Sequence, residues 1–260
     1  MGFRNMKKIF ILMLFILIAL PLFSKEFESP MSPYKDNYII SGDTEEDQVK
    51  LQISVKYNLF YPAKTGINFA YTQRSYWRIY DDSSPFVETN YMPEAFYIFE
   101  SGNNIFGNYV IPYVDYIKAS PIYHKSNGRD GLDSRSMNIY YGEIQVSYGD
   151  AINIGASGKV YGYYNKAKEN EFINDYNKNY EANVFIKHRS RTVQFLDKEE
   201  INVRFAGDPT GKGWYEAELK FRILTTYVQP RFFIQYRDGY DEFMINYTEK
   251  NRAIRAGLVF

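Results

Sequence analysis

The stretch LQISVKYNLF, residues 51–60, sends Leu51, Ile53, Val55, Tyr57 and Leu59 to one side and Gln52, Ser54, Lys56 and Asn58 to the other. A period of two means a strand with one apolar and one polar face. The pattern returns in GINFAYTQRSYW, where Ile67, Phe69 and Tyr71 share a parity. In MNIYYGEIQVSYGD, Tyr140, Ile144, Val146 and Tyr148 oppose Glu143, Gln145 and Ser147. The final NRAIRAGLVF puts Ile254, Ala256, Leu258 and Phe260 on one face.

Strands are expected near 36–42, 49–60, 66–80, 90–101, 106–124, 135–149, 151–164, 178–188, 192–206, 213–225, 229–242 and 245–260. Twelve is an even number, so an antiparallel sheet can close with both termini at one end. Strands of roughly ten to fifteen residues are long for a soluble sandwich but suit a tilted wall crossing hydrocarbon. Closure also leaves no unpaired backbone edge in lipid. The 26 Tyr and 20 Phe suit aromatic girdles at the two interfaces. Mean hydropathy is −0.44, which argues against a bundle of apolar helices but not against a wall that shows lipid every second residue. YGDA reads as a tight turn, and DDSSP, NGRDGLD, KAKENEFINDYNKN and GDPTGKG read as longer polar loops. One set of hairpin ends is therefore expected to be tight and the other long. The expected fold is an all-β, transmembrane antiparallel barrel of twelve strands, one domain spanning 25–260.

MGFRNMKK is a basic head, IFILMLFILIALPLF an apolar core, and Ser24 follows. This is the layout of an export signal, expected over residues 1–24, with the outer membrane as destination. A membrane anchor is the alternative, and Pro21 interrupts the run against it. The 31 basic and 31 acidic side chains balance, so no concentrated basic footprint for nucleic acid exists. Cysteine is absent, which excludes disulfides, thiolate metal sites and a lipid-modified N-terminal cysteine.

Chemistry concentrates in PIYHKSNGRDGLDSRSMN, residues 121–138. Taken alone, His124 is a loop-tip histidine, Ser126 a turn hydroxyl and DGLD a solvated turn. The run HKSNGRDGLDSRSMN, however, resembles the active-site hairpin of the outer membrane phospholipase A family, and YTQRSYW…SSPFVETNYMPE resembles a second block of it. Specific likeness covers Tyr71–Glu94 and His124–Asn138, with a looser likeness across most of residues 25–260, including NYTEKNRAIRAG.

The resemblance implies a twelve-stranded barrel that dimerises and hydrolyses phospholipid and lysophospholipid acyl esters with calcium. It implies Ser126 as nucleophile, His124 as base, Asn138 as the residue orienting the histidine, and Gly128 as an oxyanion donor through its backbone N–H. It implies calcium on the backbone carbonyls of Arg129 and Ser134 and on Ser83 of a second copy, with Ser84 as the neighbouring alternative. Gln73 matches a polar residue of the family's intramembrane dimer contact. Lys125 departs from the family, whose best-known members carry an acidic residue there. Its side chain is expected to point away from His124 and Ser126.

The residues support this chemistry on their own terms. His124 and Ser126, two apart on a strand end, leave on one face, and Asn138 lies across the loop within cross-strand reach. A serine hydroxyl needs an adjacent base, and the base needs a third group to orient it. Asn is neutral, so it does not stabilise imidazolium as a carboxylate does, and a nearby cation would compensate. Oxygen donors suit calcium. Asn138 shares parity with the lipid-side set, which places the site on the outer surface of the barrel. On the preceding strand Val114, Lys118, Ser120, Ile122 and His124 all share a parity, so its faces stay ambiguous. Gln73 is the odd polar group among Phe69 and Tyr71, marking a subunit contact, and His188 has no assigned role. The alternatives are a pore or structural barrel without chemistry, and a barrel whose long loops bind a partner or surface polymer.

Overall fold

The computed structural model describes residues 29–42, 44, 48–102, 110–166, 170–177, 179–188, 197–208, 211–222 and 230–260. The expected export signal, and the parts of expected strands at 106–109, 178, 192–196, 223–225 and 229, lie outside the described residues. The strands are β1 (Met31–Pro33), β2 (Tyr38–Ser41), β3 (Val49–Asn58), β4 (Gly66–Trp77), β5 (Phe86–Glu100), β6 (Val114–Ser126) and β7 (Ser136–Tyr148). Then follow β8 (Ile152–Lys166), a short helix α1 (Ile173–Asn177), β9 (Tyr180–His188), β10 (Asp197–Gly207), β11 (Gly213–Arg222), β12 (Arg231–Gly239) and β13 (Asn251–Val259).

β1 and β2 both pair with β3, Met31 opposite Tyr57 and Tyr38 opposite Gln52. They are two pieces of one wall strand, so thirteen segments make a twelve-stranded wall. Each strand pairs antiparallel with its neighbour, and β13 pairs with β2 through Leu258 opposite Ile39, closing the barrel. The break between β1 and β2 turns the chain inward. There the Tyr34 hydroxyl donates to both Glu94 oxygens at 3.2 and 3.1 Å, and Asp36 meets Lys220 at 2.5 Å.

The alternation read from the sequence maps onto the wall. Ile67, Phe69, Tyr71, Tyr140, Ile144, Val146 and Tyr148 are exposed on the outside, whereas Asn68, Thr72, Met137, Ile139 and Tyr141 are buried inside. The lumen is filled rather than open: Lys50 meets Glu242 and Lys118 meets Glu143, each at 2.8 Å. Arg237 meets Glu242 at 2.6 Å. A polar cavity of about 660 Å³ remains beside them, lined by Lys118, Glu143 and Arg237 among others.

Three expectations are corrected. The strands expected over 229–242 and 245–260 are shorter, because residues 240–250 fold inward as a series of turns, starting at Asp241 with φ 57°. Their apolar residues mimic a strand but pack on the lumen side, Phe243 against Tyr76 and Met244 and Tyr247 against Tyr123 and Met137. β5 starts at Phe86 rather than 90, since Trp77 pairs with Phe86 directly after the turn. Loop length does not separate the two ends either: the tight 149–151 turn shares its end with the long 101–113 connection.

Candidate active site

The site grows out of a defect in β6. Ser120 faces Tyr141 and Tyr123 faces Ile139, so β6 carries one residue more than β7 across this stretch. The same extra residue appears against β5, between Ala95 opposite Ile122 and Tyr97 opposite Ala119. This is a β-bulge, and it contains Pro121, which has no N–H to give to a ladder. Below the bulge, Lys118 and Ser120 point into the barrel; above it, Tyr123 does. The bulge therefore swaps parity, which is why β6 looked ambiguous in the sequence. Even-numbered residues that face the lumen below it face outward above it.

Above the bulge His124 lies directly opposite Asn138, and Ser126 opposite Ser136. His124 Nδ1 lies 2.8 Å from Asn138 Oδ1. An amide oxygen only accepts, so Nδ1 carries the proton and Nε2 is left as the basic nitrogen. All three side chains are half-buried on the outer surface. Gly128 N–H donates to Ser126 Oγ at 3.1 Å, while no hydrogen bond joins Ser126 to His124 among the described residues. Catalytic hydrogen bonds are often long before substrate arrives. Gly128 has φ +65°, and a Cβ there would sit 2.6 Å from a ring carbon of Tyr91, the cross-strand partner of Ser126. Only glycine fits this approach.

The loop between β6 and β7 is organised by Asn127, which the sequence reading passed over. Its side-chain oxygen accepts from the N–H groups of Arg129 at 3.3 Å and Arg135 at 2.9 Å, and its amide donates to the Asp133 carbonyl at 2.8 Å. An asparagine followed by glycine in a polar turn is the available signal, because its side chain imitates backbone in tight turns. Arg129 reaches the Val87 carbonyl on β5. Arg135 donates to the carbonyls of Leu132 at 2.8 Å, Ser134 at 3.0 Å and Ile245 at 3.3 Å. Lys125 faces inward, 3.9 Å from Asp241, away from the outer surface as expected.

Ser83 and Ser84 sit in the 78–85 loop at the same barrel end as the β6–β7 loop. Both have positive φ, 65° and 43°. Ser84 is used locally: its hydroxyl donates to the Ile79 carbonyl at 2.9 Å and its carbonyl accepts from Trp77 Nε1. Ser83 is exposed. Gln48 ties this loop to the preceding hairpin, donating to Asp81 at 2.9 Å and accepting from the Tyr80 N–H at 2.7 Å. The oxygens of Ser83, Arg129 and Ser134 are hydroxyl and carbonyl donors, a hard set, while no cluster of three acidic or histidine side chains exists among the described residues. Such a set fits calcium in type. Gln73 lies outward, accepting from the Tyr71 hydroxyl at 3.0 Å. His188 sits at the opposite end of the barrel, its Nδ1 2.6 Å from Glu199.

A family model described as Phospholipase A1 matches residues 6–260. Phospholipase A1 of Proteus vulgaris is 24% identical over 259 residues, covering 90% of this chain and 83% of the relative. Phospholipase A1 of Escherichia coli (strain K12) is 25% identical over 259 residues with the same coverage. Among solved structures, a Salmonella typhi outer membrane phospholipase dimer with bound calcium has a TM-score of 0.70 at 22% identity, covering 91% of this chain and 93% of that one. An active-site mutant of outer membrane phospholipase A from Escherichia coli has a TM-score of 0.71 at 22% identity, with 94% and 96% covered. The structural likenesses carry the barrel fold, and the match of the family model over nearly the whole sequence carries the kinship: the chain belongs to the phospholipase A1 family.

Proposed function

We propose that this outer-membrane phospholipase cleaves phospholipid acyl esters with calcium, as a dimer, using Ser126, His124 and Asn138 on the outside of the barrel. The observation that carries the reading is the His124–Asn138 hydrogen bond between directly opposed residues, two positions from Ser126 and facing lipid. His124 Nε2 takes the Ser126 proton as Oγ attacks the acyl carbonyl, and Gly128 N–H turns from Oγ to the developing oxyanion. The imidazolium then gives that proton to the departing lysophospholipid oxygen. Water, activated by the same nitrogen, releases the fatty acid and restores Ser126.

Asn138 holds the ring and tautomer without adding negative charge. Bound calcium would supply positive charge beside the ester carbonyl, held by the carbonyls of Arg129 and Ser134 and by the hydroxyl of Ser83 from a second copy. The local use of Ser84 inside its own turn supports Ser83 for this part. Residues 1–24 are read as an export signal, which the N-terminal sequence of the mature protein would test. The pore reading is disfavoured by a lumen crossed by ion pairs. The deciding experiment is fatty-acid release from defined phospholipid micelles, with calcium added or chelated, for the wild type beside Ser126→Ala. Release that survives either chelation or the substitution refutes the assignment.

A further inference from the structure

Glu88 carries no chemistry in the reading above, yet it is 1% exposed and has no ion-pair partner among the described residues. Its two carboxylate oxygens accept from successive backbone N–H groups, Met244 at 2.8 Å and Ile245 at 2.7 Å. A buried carboxylate needs strong compensation, and two amide donors provide it. The amides belong to the inward-folded 240–250 segment. The carbonyl of the same Ile245 accepts from Arg135, whose guanidinium also holds the carbonyls of Leu132 and Ser134. The circuit closes on β5, where the Val87 carbonyl, beside Glu88, accepts from Arg129. Glu88 thus holds from below the segment on which the β6–β7 loop leans. Arg129 and Arg135, one a proposed calcium ligand through its carbonyl and the other next to one, are the two points where that loop is fastened.

We propose that Glu88 is a positioning residue for the calcium site, acting through residues 244–245 and Arg135 to fix the carbonyls of Arg129 and Ser134. The inference rests on the function proposed above. A carboxylate is required because glutamine would present its NH2 to one of the two N–H groups, losing one bond and opposing two donors.

The test is calcium titration by calorimetry in detergent, with sulfonylation of Ser126 followed on the same samples and folding scored by heat-modifiable gel mobility. Glu88→Gln should raise the calcium dissociation constant about tenfold, the worth of one hydrogen bond to a charged group. Its Ser126 labelling should fall at low calcium and return to the wild-type rate at saturating calcium, a recovery that general loosening of the barrel does not give. Arg135→Lys, which cannot span the same three carbonyls, should act alike, and it carries the test by itself if Glu88→Gln does not fold. The double variant should be about as impaired as the worse single one, because both cut one chain of contacts. Wild-type calcium affinity in folded Glu88→Gln, or additive losses in the double variant, overturns the proposal while leaving the serine chemistry intact. Absence of calcium binding by the wild type overturns both. A wild type that binds calcium but leaves Ser126 unlabelled overturns the function, and the titration still decides the role of Glu88.

Discussion

The two faces of the β6–β7 hairpin are held by different forces. Outward, His124, Ser126 and Asn138 are half-buried and joined to the molecule by a few hydrogen bonds. Inward, Tyr123, Met137, Ile139 and Tyr141 are buried in one cluster with Met92, Ile173, Met244 and Tyr247. The residues proposed to react can change with little effect on folding, and the residues beneath them should do the reverse. On the proposed function, the surface that meets the membrane is backed by a packed cluster.

The sharpest way to break this contrast is Ser126→Ala. Turnover should fall by about a thousandfold or more, with the urea unfolding midpoint unchanged; a folded variant that keeps its activity would remove the contrast at its root. Asn138→Ala should lose less, roughly ten- to a hundredfold, since the residue orients the base rather than reacting.

The next effect belongs to the interior. Burial alone would raise the Glu242 carboxyl, but Lys50, Arg237 and Arg255 around it hold it well below the usual carboxylate range. The group therefore stabilises the fold above its unfolded pKa, and that contribution is lost as pH falls through the depressed folded value. Glu242→Gln, which removes the carboxylate those three buried cations share, should cost about 3–5 kcal/mol at neutral pH. It should also flatten the acid limb of the unfolding midpoint plotted against pH. A wild-type limb retained in the variant would assign the acid sensitivity elsewhere.

Met137→Ala should then cost about 2–4 kcal/mol of stability through the cavity it leaves. Its turnover per folded molecule, read at low temperature, should stay within a few-fold of the wild type. The smallest change is Gln73→Ala. It should weaken calcium-dependent dimers in sedimentation by about 1 kcal/mol or less, and an unaltered dimer would place the contact on another part of the wall.

Much of the wall was legible because lipid enforces alternation. Phe69, Tyr71, Tyr140 and Ile144 are exposed where period two put them, and the count of twelve holds once β1 and β2 are joined. The illegible parts are those that leave the wall. Phe243, Met244 and Tyr247 have a strand's composition, but their apolar faces meet Tyr76 and the Met137 cluster inside the lumen. Only tertiary packing distinguishes that from facing lipid. Tyr34 and Asp36 turn inward for partners, Glu94 and Lys220, that are far away in sequence. In the site, His124, Ser126 and Asn138 could be placed together from spacing and resemblance. Asn127 offers only the signal of an asparagine before a glycine, and Glu88 offers none, since its work is done on backbone groups that carry no residue-type signal.

The extra residue at Pro121 decides more than local twist. Suppose the same residues of β6 alternated regularly, with no bulge, and the lower half still pointed Lys118 and Ser120 inward. His124 and Ser126 would then face the ion pairs of the interior, while Asn138, on an unbroken β7, would stay outside. The three polar groups would stand on opposite sides of a wall one strand thick, and no movement of side chains could reunite them. On the proposed function, the bulge is thus the difference between an enzyme of the membrane surface and an inert plug with the same amino acids.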